Sequence, residues 1–362
     1  MTNDLSNDQR VAKVCNTLFN AGYEILLIGR LLPLSYEMDR KYSTHRIKLF
    51  FNKSFLFYAE FNFRLFFFLL FKKVNVYHAN DLDTLLPLWL LSKIKRKPIV
   101  YDSHEYFLGV PEIQNKQFVK WFWKSIEKRI FPKLKYVFTV NESIANLYYN
   151  DYKVKPLVLR NLPNKAPVIK VKSREDLGLP KEKKIVILQG AGINIDRGAE
   201  ELLEAISIQD EFFLCIVGKG DVMESLKIRS KQKDLINKVI IVDTLPYNEM
   251  MQYTLNADAG LSLDKPSNLN YLYSLPNKLF DYFKSGLPVV SSDLVEIRKI
   301  INTYRVGVLF NDHHPESILN AIKEVFIYDD YLVYKKSTNK IIEDLNWEKE
   351  SEILIKSYKE IG

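Results

Sequence analysis

The chain has 362 residues, 47% of them hydrophobic and 27% charged, with no low-complexity tract, which excludes a disordered chain and is enough for two domains with proper cores. Its two cysteines, Cys15 and Cys215, lie far apart in apolar surroundings, which argues against a disulfide framework and for a reducing cytoplasm. Charge is uneven: residues 1–165 carry 26 Lys and Arg against 14 Asp and Glu, whereas 166–362 carry 26 against 30, so a basic half calling for an anionic partner joins a mildly acidic one.

No charged n-region, apolar h-region and cleavage site open the chain, so secretion is not indicated. LSNDQR precedes an amphipathic helix with Val11, Val14, Cys15 and Leu18 on one face; Gly22 ends it, and 23–28 follows as a strand. A doubly wound domain normally places a strand before that helix, and MTNDL does not supply one. Either the reading frame starts too late, or the sheet lacks a central strand. Residues 50–71 hold ten of the 22 phenylalanines. Lys53, Glu60 and Arg64 interrupt the run, so it does not read as a transmembrane span. Its default reading is a buried helix; the sharper one is an interfacial helix on an anionic membrane, flanked by Lys48, Lys53, Lys72 and Lys73.

Three predicted strands then end in polar residues: 74–78 in HANDLD, 99–102 in YDSHEYF and 136–140 in NES. In open parallel sheets ligands bind beyond the carboxyl ends of strands, which makes these residues candidates for chemistry. Asp81 or Asp83 would cap a helix over 84–92, and this local job outweighs the match of Asp81-Leu82-Asp83 to a D-x-D metal signature. His104 could donate a hydrogen bond to a sugar or leaving group; a purely structural histidine is the even alternative. A metal held by His78, His104 and Asp102 or Glu105 is a minor option, since no spacing enforces it. Residues 116–135 predict an amphipathic helix pairing Phe118, Trp121, Phe122 and Ile126 with basic side chains.

A short strand at 157–160 and Asn161-Leu162-Pro163-Asn164 predict the hinge to a second domain, and 165–184 is linker-like. Beyond the strand 185–188, QGAGINIDRGAEELLEAI offers glycines for close backbone approach and a helix start near Arg197 that faces anions. It is neither a Walker motif nor a dinucleotide fingerprint. Strands at 212–217, ending on Gly218, 239–241 and 259–263 alternate with helices, as in a parallel α/β sheet. His313 and His314 read as solvent residues in a loop.

The organising stretch is 264–293, DKPSNLNYLYSLPNKLFDYFKSGLPVVSSD, between the buried strands 259–263 and 288–291. Tyr273-Ser274-Leu275-Pro276 leads into a helix over 277–284, with Ser274 as N-cap and Gly286 as C-terminal stop. Its free N–H groups make a phosphate site, and Lys278 adds a positive charge. Asp281 lies one turn after Asn277, where a carboxylate accepts from sugar hydroxyls.

YSLPNKLFDYFKSGLPVVSSDLVEI resembles the nucleotide-sugar motif of the retaining glycosyltransferases of family 4, which have the two-domain GT-B fold. That family carries two glutamates eight positions apart; the second position is Asp281 here and the first is Tyr273. VYDSHEYF resembles the segment whose histidine points into the cleft near the donor's anomeric carbon, which implies His104. The 189–205 segment resembles the stretch whose arginine and lysine neutralise the donor diphosphate; the second position matches Arg197 and the first falls on Gly192. Leu245-Pro246 sits where the family packs backbone against the nucleobase, and 347–361 resembles its closing helix. The resemblance runs from LSNDQR to NWEKESEILIKSY and is most specific over 273–296.

It implies two Rossmann-like doubly wound α/β domains facing a cleft: residues 1–162 on the acceptor side, 163–340 binding the nucleotide sugar, and 341–362 crossing back to the first domain. The implied activity is retaining transfer of a sugar from a UDP- or GDP-sugar to a lipid-linked or cell-envelope saccharide, without a metal. His104, Arg197, Lys278 and Asp281 would do the chemistry. Gly190, Gly192, Gly218, Leu245, Tyr273, Ser274, Leu275, Pro276 and Asn277 would join Arg197, Lys278 and Asp281 in binding the donor. The enzyme would be cytoplasmic, at the inner face of the cell membrane, with no nucleic-acid partner because no recognised module accompanies the basic half. Tyr273, Gly192 and the missing strand feed an alternative, a non-catalytic partner in glycan assembly; a GT-B nucleotide-sugar epimerase is a further one.

Overall fold

The computed structural model describes all residues except 6, 7, 34, 36, 115 and 166–170, so parts of LSNDQR and of the predicted linker lie outside the described residues. Two compact units result, one of Met1–Asn161 with Glu348–Gly362 and one of Leu162–Trp347.

In the first unit, β3 (Tyr77–Asn80), β4 (Ile99–Ser103), β5 (Tyr136–Thr139) and β6 (Leu157–Val158) form a parallel sheet in that order. β1 (Leu26–Leu31) and β2 (Ser43–Lys48) form a separate parallel pair. The helix Gln9–Asn20 buries the predicted apolar face together with Arg10, and its N-cap is Asp8, whose carboxylate accepts from Val11 N at 2.9 Å. No strand precedes that helix among the described residues. Residues 1–5 run beside β1, with Met1 N donating to Ile28 O at 2.8 Å and Asp4 bridging Arg30 in parallel sense. They form a single bridge, not a strand.

Asp81 and Asp83 also need correction as caps. The helix Leu82–Lys95 starts at Asp81, whose side chain makes no cap hydrogen bond; instead it accepts from His104 N at 2.8 Å, and Asp83 accepts from Thr2. The phenylalanine-rich helix spans Ser54–Leu70 and buries only Phe57, Phe61, Leu65 and Leu69. This i, i+4 stripe satisfies the core, so the default reading of a buried helix holds for one face alone. The helix Gln117–Ile130 buries Trp123, Ile126, Glu127 and Ile130, while Phe118 and Trp121, expected on its apolar face, are exposed. Among the described residues no helix is long and apolar enough to cross a membrane.

The second unit holds a six-stranded parallel sheet of β7 (Lys184–Gly190), β8 (Phe212–Gly218), β9 (Val239–Val242), β10 (Ala259–Ser262), β11 (Val289–Ser292) and β12 (Gly307–Phe310). Its spatial order is β12-β11-β10-β7-β8-β9. Counted within the unit this is 6-5-4-1-2-3, the doubly wound order whose switch point lies between β7 and β10. Both faces are covered. Val186 and Leu188 of β7 enter one core with the helices Ala199–Ser207 and Pro315–Val325, and Ile185 and Ile187 enter the other with Asn277–Lys284 and Val295–Tyr304. That is why these strands read as continuous apolar runs.

Two parallel-sheet α/β domains of this kind make a GT-B fold.

Candidate functional site

At the switch point β7 ends in Gln189-Gly190 and β10 leads into Leu263-Asp264. A cavity of about 200 Å³ opens there, lined by Gln189, Gly190, Gly192, Arg197, Asn277 and Lys278 among others. Two local devices shape it. Gly198, at φ +74°, starts the helix Ala199–Ser207; a Cβ there would meet Leu263 O at 2.5 Å, so only glycine lets Arg197 sit this close to β10. The helix Asn277–Lys284 begins after Pro276 with no side-chain cap and stops at Gly286, at φ +74°. Ser274 is thus not the N-cap; its Oγ is buried without a hydrogen-bond partner.

The cations share one counter-ion that the sequence reading missed. Arg197 Nη1 donates to Asp264 Oδ2 at 2.8 Å, and Lys278 Nζ lies 3.7 Å from Asp264 Oδ1, with Asp264 wholly buried. The Arg197 guanidinium also stacks 4.1 Å from the centre of the Tyr271 ring. Burial lowers the Lys278 pKa from its ordinary value, and Asp264 offsets only part of that. For Arg197 burial pulls the same way, but Asp264 and Tyr271 outweigh it and raise the value. Arg197 Nε, Asp264 Oδ1 and Ser262 Oγ are buried without hydrogen-bond partners. A half-buried cation pair with a spare donor is the chemistry of a diphosphate site. The one signal that could have found Asp264 is its place just past the buried strand β10; the contact of Tyr271 with Arg197 had no sequence signal.

Asp281 lies one turn along the same helix. Tyr247 Oη donates to its Oδ1 at 2.7 Å and Gln189 Nε2 to its Oδ2 at 3.2 Å, and Gln189 in turn accepts from Thr254. Tyr247, Gln189 and Thr254 are positioning residues that the sequence did not single out. Gly218 pairs with Gly190 in the β7–β8 register. Tyr273 ends the short helix Leu269–Leu272, while Leu275 and Leu245 pack against the core, so these three are not on the cavity wall. His313 is no solvent residue: its Nε2 lies 3.0 Å from Ser292 Oγ and 3.1 Å from Leu263 O.

His104 belongs to the first unit, in a buried charge cluster. Arg10 clamps Asp102 through Nε at 3.0 Å and Nη2 at 2.6 Å, and its Nη1 donates to Leu159 O. His104 sits between two carboxylates, Nδ1 3.3 Å from Asp81 Oδ2 and Nε2 3.4 Å from Asp102 Oδ2. His78 Nδ1 pairs with Tyr358 Oη at 2.7 Å, and Glu105 is exposed. Among the described residues no group of three or more His, Cys, Asp or Glu is placed to hold a metal.

Burial would lower the His104 pKa, but Asp81 and Asp102 overcome it and bring the value up to about 9, so the ring is an imidazolium at neutral pH. Such a group stabilises the fold fully below its unfolded value near 6.5 and loses that contribution as pH rises through about 9. On the order of 3 kcal/mol is at stake. The thermal midpoint of the wild type therefore falls between pH 7 and 9.5, and His104→Gln flattens that slope; parallel slopes in the two proteins would refute the assignment.

The family model of glycosyl transferases group 1 matches residues 170–359, and that of glycosyltransferase family 4 matches 9–164. An uncharacterized glycosyltransferase of Methanocaldococcus jannaschii is 22% identical over 74% of this chain and 69% of its own length. A chitobiosyldiphosphodolichol beta-mannosyltransferase of Yarrowia lipolytica is 27% identical over 35% of this chain, but only 28% of that relative is covered. Among solved structures, sucrose-phosphate synthase from Thermosynechococcus elongatus superposes with a TM-score of 0.79 at 18% identity, covering 97% of this chain and 92% of that one. Anabaena HepE in complex with UDP-glucose gives 0.77 at 12% identity, with 99% and 98% covered. Sequence and fold agree: the chain belongs to the glycosyl transferases group 1, with a family 4 glycosyltransferase domain as its N-terminal half.

Proposed function

We propose that this glycosyltransferase moves a sugar from a nucleotide-sugar donor to a lipid-linked or cell-envelope saccharide, with retention of configuration and without a metal. The observation that carries the donor half is the meeting of Arg197, Lys278 and the uncapped start of the Asn277–Lys284 helix around one cavity at the sheet's switch point. Negative charge grows on the leaving diphosphate as the glycosidic bond breaks, so fixed cations there stabilise the transition state more than the ground state. An arriving diphosphate replaces Asp264 as partner of Arg197 and Lys278, and it favours the protonated form of a lysine that burial otherwise weakens. Asp281, preset by Tyr247 and Gln189, holds the donor's ribose hydroxyls. The resemblance assigns His104 to the donor sugar; in the first unit it is an imidazolium whose two ring nitrogens face Asp81 and Asp102.

HepE was solved with UDP-glucose, and the name of the Yarrowia lipolytica relative specifies a chitobiosyldiphosphodolichol acceptor. Both support the reading, as does the basic first half of the chain.

Calorimetric titration with UDP and GDP, with and without magnesium, tests the donor site. The expected result is saturable binding of one of them, independent of magnesium and weakened at least about tenfold by Asp281→Ala, the cost of roughly one hydrogen bond to a charged group. Absence of binding in a folded chain would favour the non-catalytic partner, in keeping with Tyr273 and Gly192 standing where the family carries charged residues.

A further inference from the structure

We propose that the solvent face of the Ser54–Leu70 helix, continued by the start of the Gln117–Ile130 helix, docks the first unit on an anionic lipid surface. A core helix needs one apolar stripe, and Phe57, Phe61, Leu65 and Leu69 already supply it. The opposite face is apolar as well: Phe55 is 61% exposed, Phe63 65% and Phe67 44%, and Phe71 just past the helix 83%. Phe63 and Phe67 meet at a tilt with ring centres 4.6 Å apart, and Phe55 meets Phe122 of the second helix at 6.0 Å. Phe118 and Trp121, 72% and 63% exposed with rings 5.8 Å apart, extend the surface there. An aromatic patch of this extent in water marks an interaction site.

Charge names the occupant. Between residues 46 and 73 the only acid is Glu60, against Arg46, Lys48, Lys53, Arg64, Lys72 and Lys73. Glu60 is already engaged, accepting from Phe50 N, Phe51 N and Arg64 Nε. Lys116, just before the second helix, and Lys120 and Lys124 on it flank Phe118 and Trp121 in sequence. Aromatic side chains within a ring of cations match the boundary of an anionic bilayer, where rings enter the headgroup region and lysines meet phosphates. A second copy would oppose two cationic rims and is disfavoured. Contact is interfacial, because no helix among the described residues can span a bilayer. The inference deepens the reading of a lipid-linked acceptor but stands on the surface of the first unit alone, so lipid binding and sugar transfer fail separately.

Flotation of the full chain with vesicles tests it, using phosphatidylcholine alone and phosphatidylcholine containing roughly a third phosphatidylglycerol, an anionic fraction high enough to set a strong surface potential. The expected result is binding to the anionic vesicles only. Phe63→Ser with Phe67→Ser, and separately Lys72→Glu with Lys73→Glu, each weaken it at least about tenfold. All four residues are exposed, and an unchanged circular dichroism melt confirms that the variants fold. The proposal is overturned by no binding to anionic vesicles, by equal binding to neutral ones, or by full binding of the double serine variant. A wild-type dimer in solution that the serine pair converts to monomer overturns it in favour of a second copy.

Discussion

Arg197→Ala lowers donor-dependent transfer, read as kcat/KM, by on the order of 10²–10³-fold, the usual consequence of removing one fixed donor from a site where charge develops. The effect on folding is much smaller. Asp264 loses its 2.8 Å partner but keeps Lys278 at 3.7 Å, so the buried carboxylate is not left without a counter-charge. Destabilisation of about 1–2 kcal/mol follows, within what a partly compensated buried pair costs. Arg197→Lys separates the two effects. It retains a positive charge beside Asp264 and loses the planar fork, so it melts close to the wild type while transfer stays strongly reduced. A folded Arg197→Ala protein with full turnover would remove Arg197 from the mechanism.

The largest stability effect belongs to the first unit. Asp102 is wholly buried and accepts two hydrogen bonds from Arg10, whose side chain is only 4% exposed, while also facing His104 at 3.4 Å. Burial would raise the Asp102 pKa, but the Arg10 guanidinium and His104 drive it well below the usual carboxylate range. Asp102→Asn keeps the shape and removes the charge, leaving Arg10 and the imidazolium of His104 buried with Asp81 alone to face them. The expected loss is about 3–5 kcal/mol in denaturant unfolding, as for other broken buried pairs. Arg10→Met in the Asp102→Asn background recovers part of it, because the second uncompensated charge is then gone. A loss below about 1 kcal/mol would show that water reaches the cluster and screens it.

These two sites differ in how far the sequence exposed them. Arg197 and Lys278 were legible because each stands at a helix start that follows a buried strand, where backbone geometry concentrates free N–H groups. Their common partner was not: Asp264 falls 67 positions after Arg197 and 14 before Lys278, and no local spacing announces a contact across the switch point. Likewise Asp81 read as a helix cap because capping is a local rule, yet its carboxylate turns to His104, 23 residues away, where it faces a buried charge instead of the N–H groups of its own helix. β2 was invisible for another reason: STHRIK is polar, and only Ile47 in it is buried.

By itself the sequence determined the parallel α/β architecture of both units and the family. Continuous apolar runs such as 185–188 and 259–263 are needed wherever a strand is covered on both faces, and the helix Asn277–Lys284 ends as predicted because proline and glycine act on their own backbone. The tertiary structure alone decided which charges meet and which aromatic faces stay in water. Ion pairing depends on distances that chain crossings set. A helix such as Ser54–Leu70, with phenylalanines on opposite faces, gives no clear sign of which face is buried, so only the packing of Phe57 and Phe61 left Phe63 and Phe67 outside.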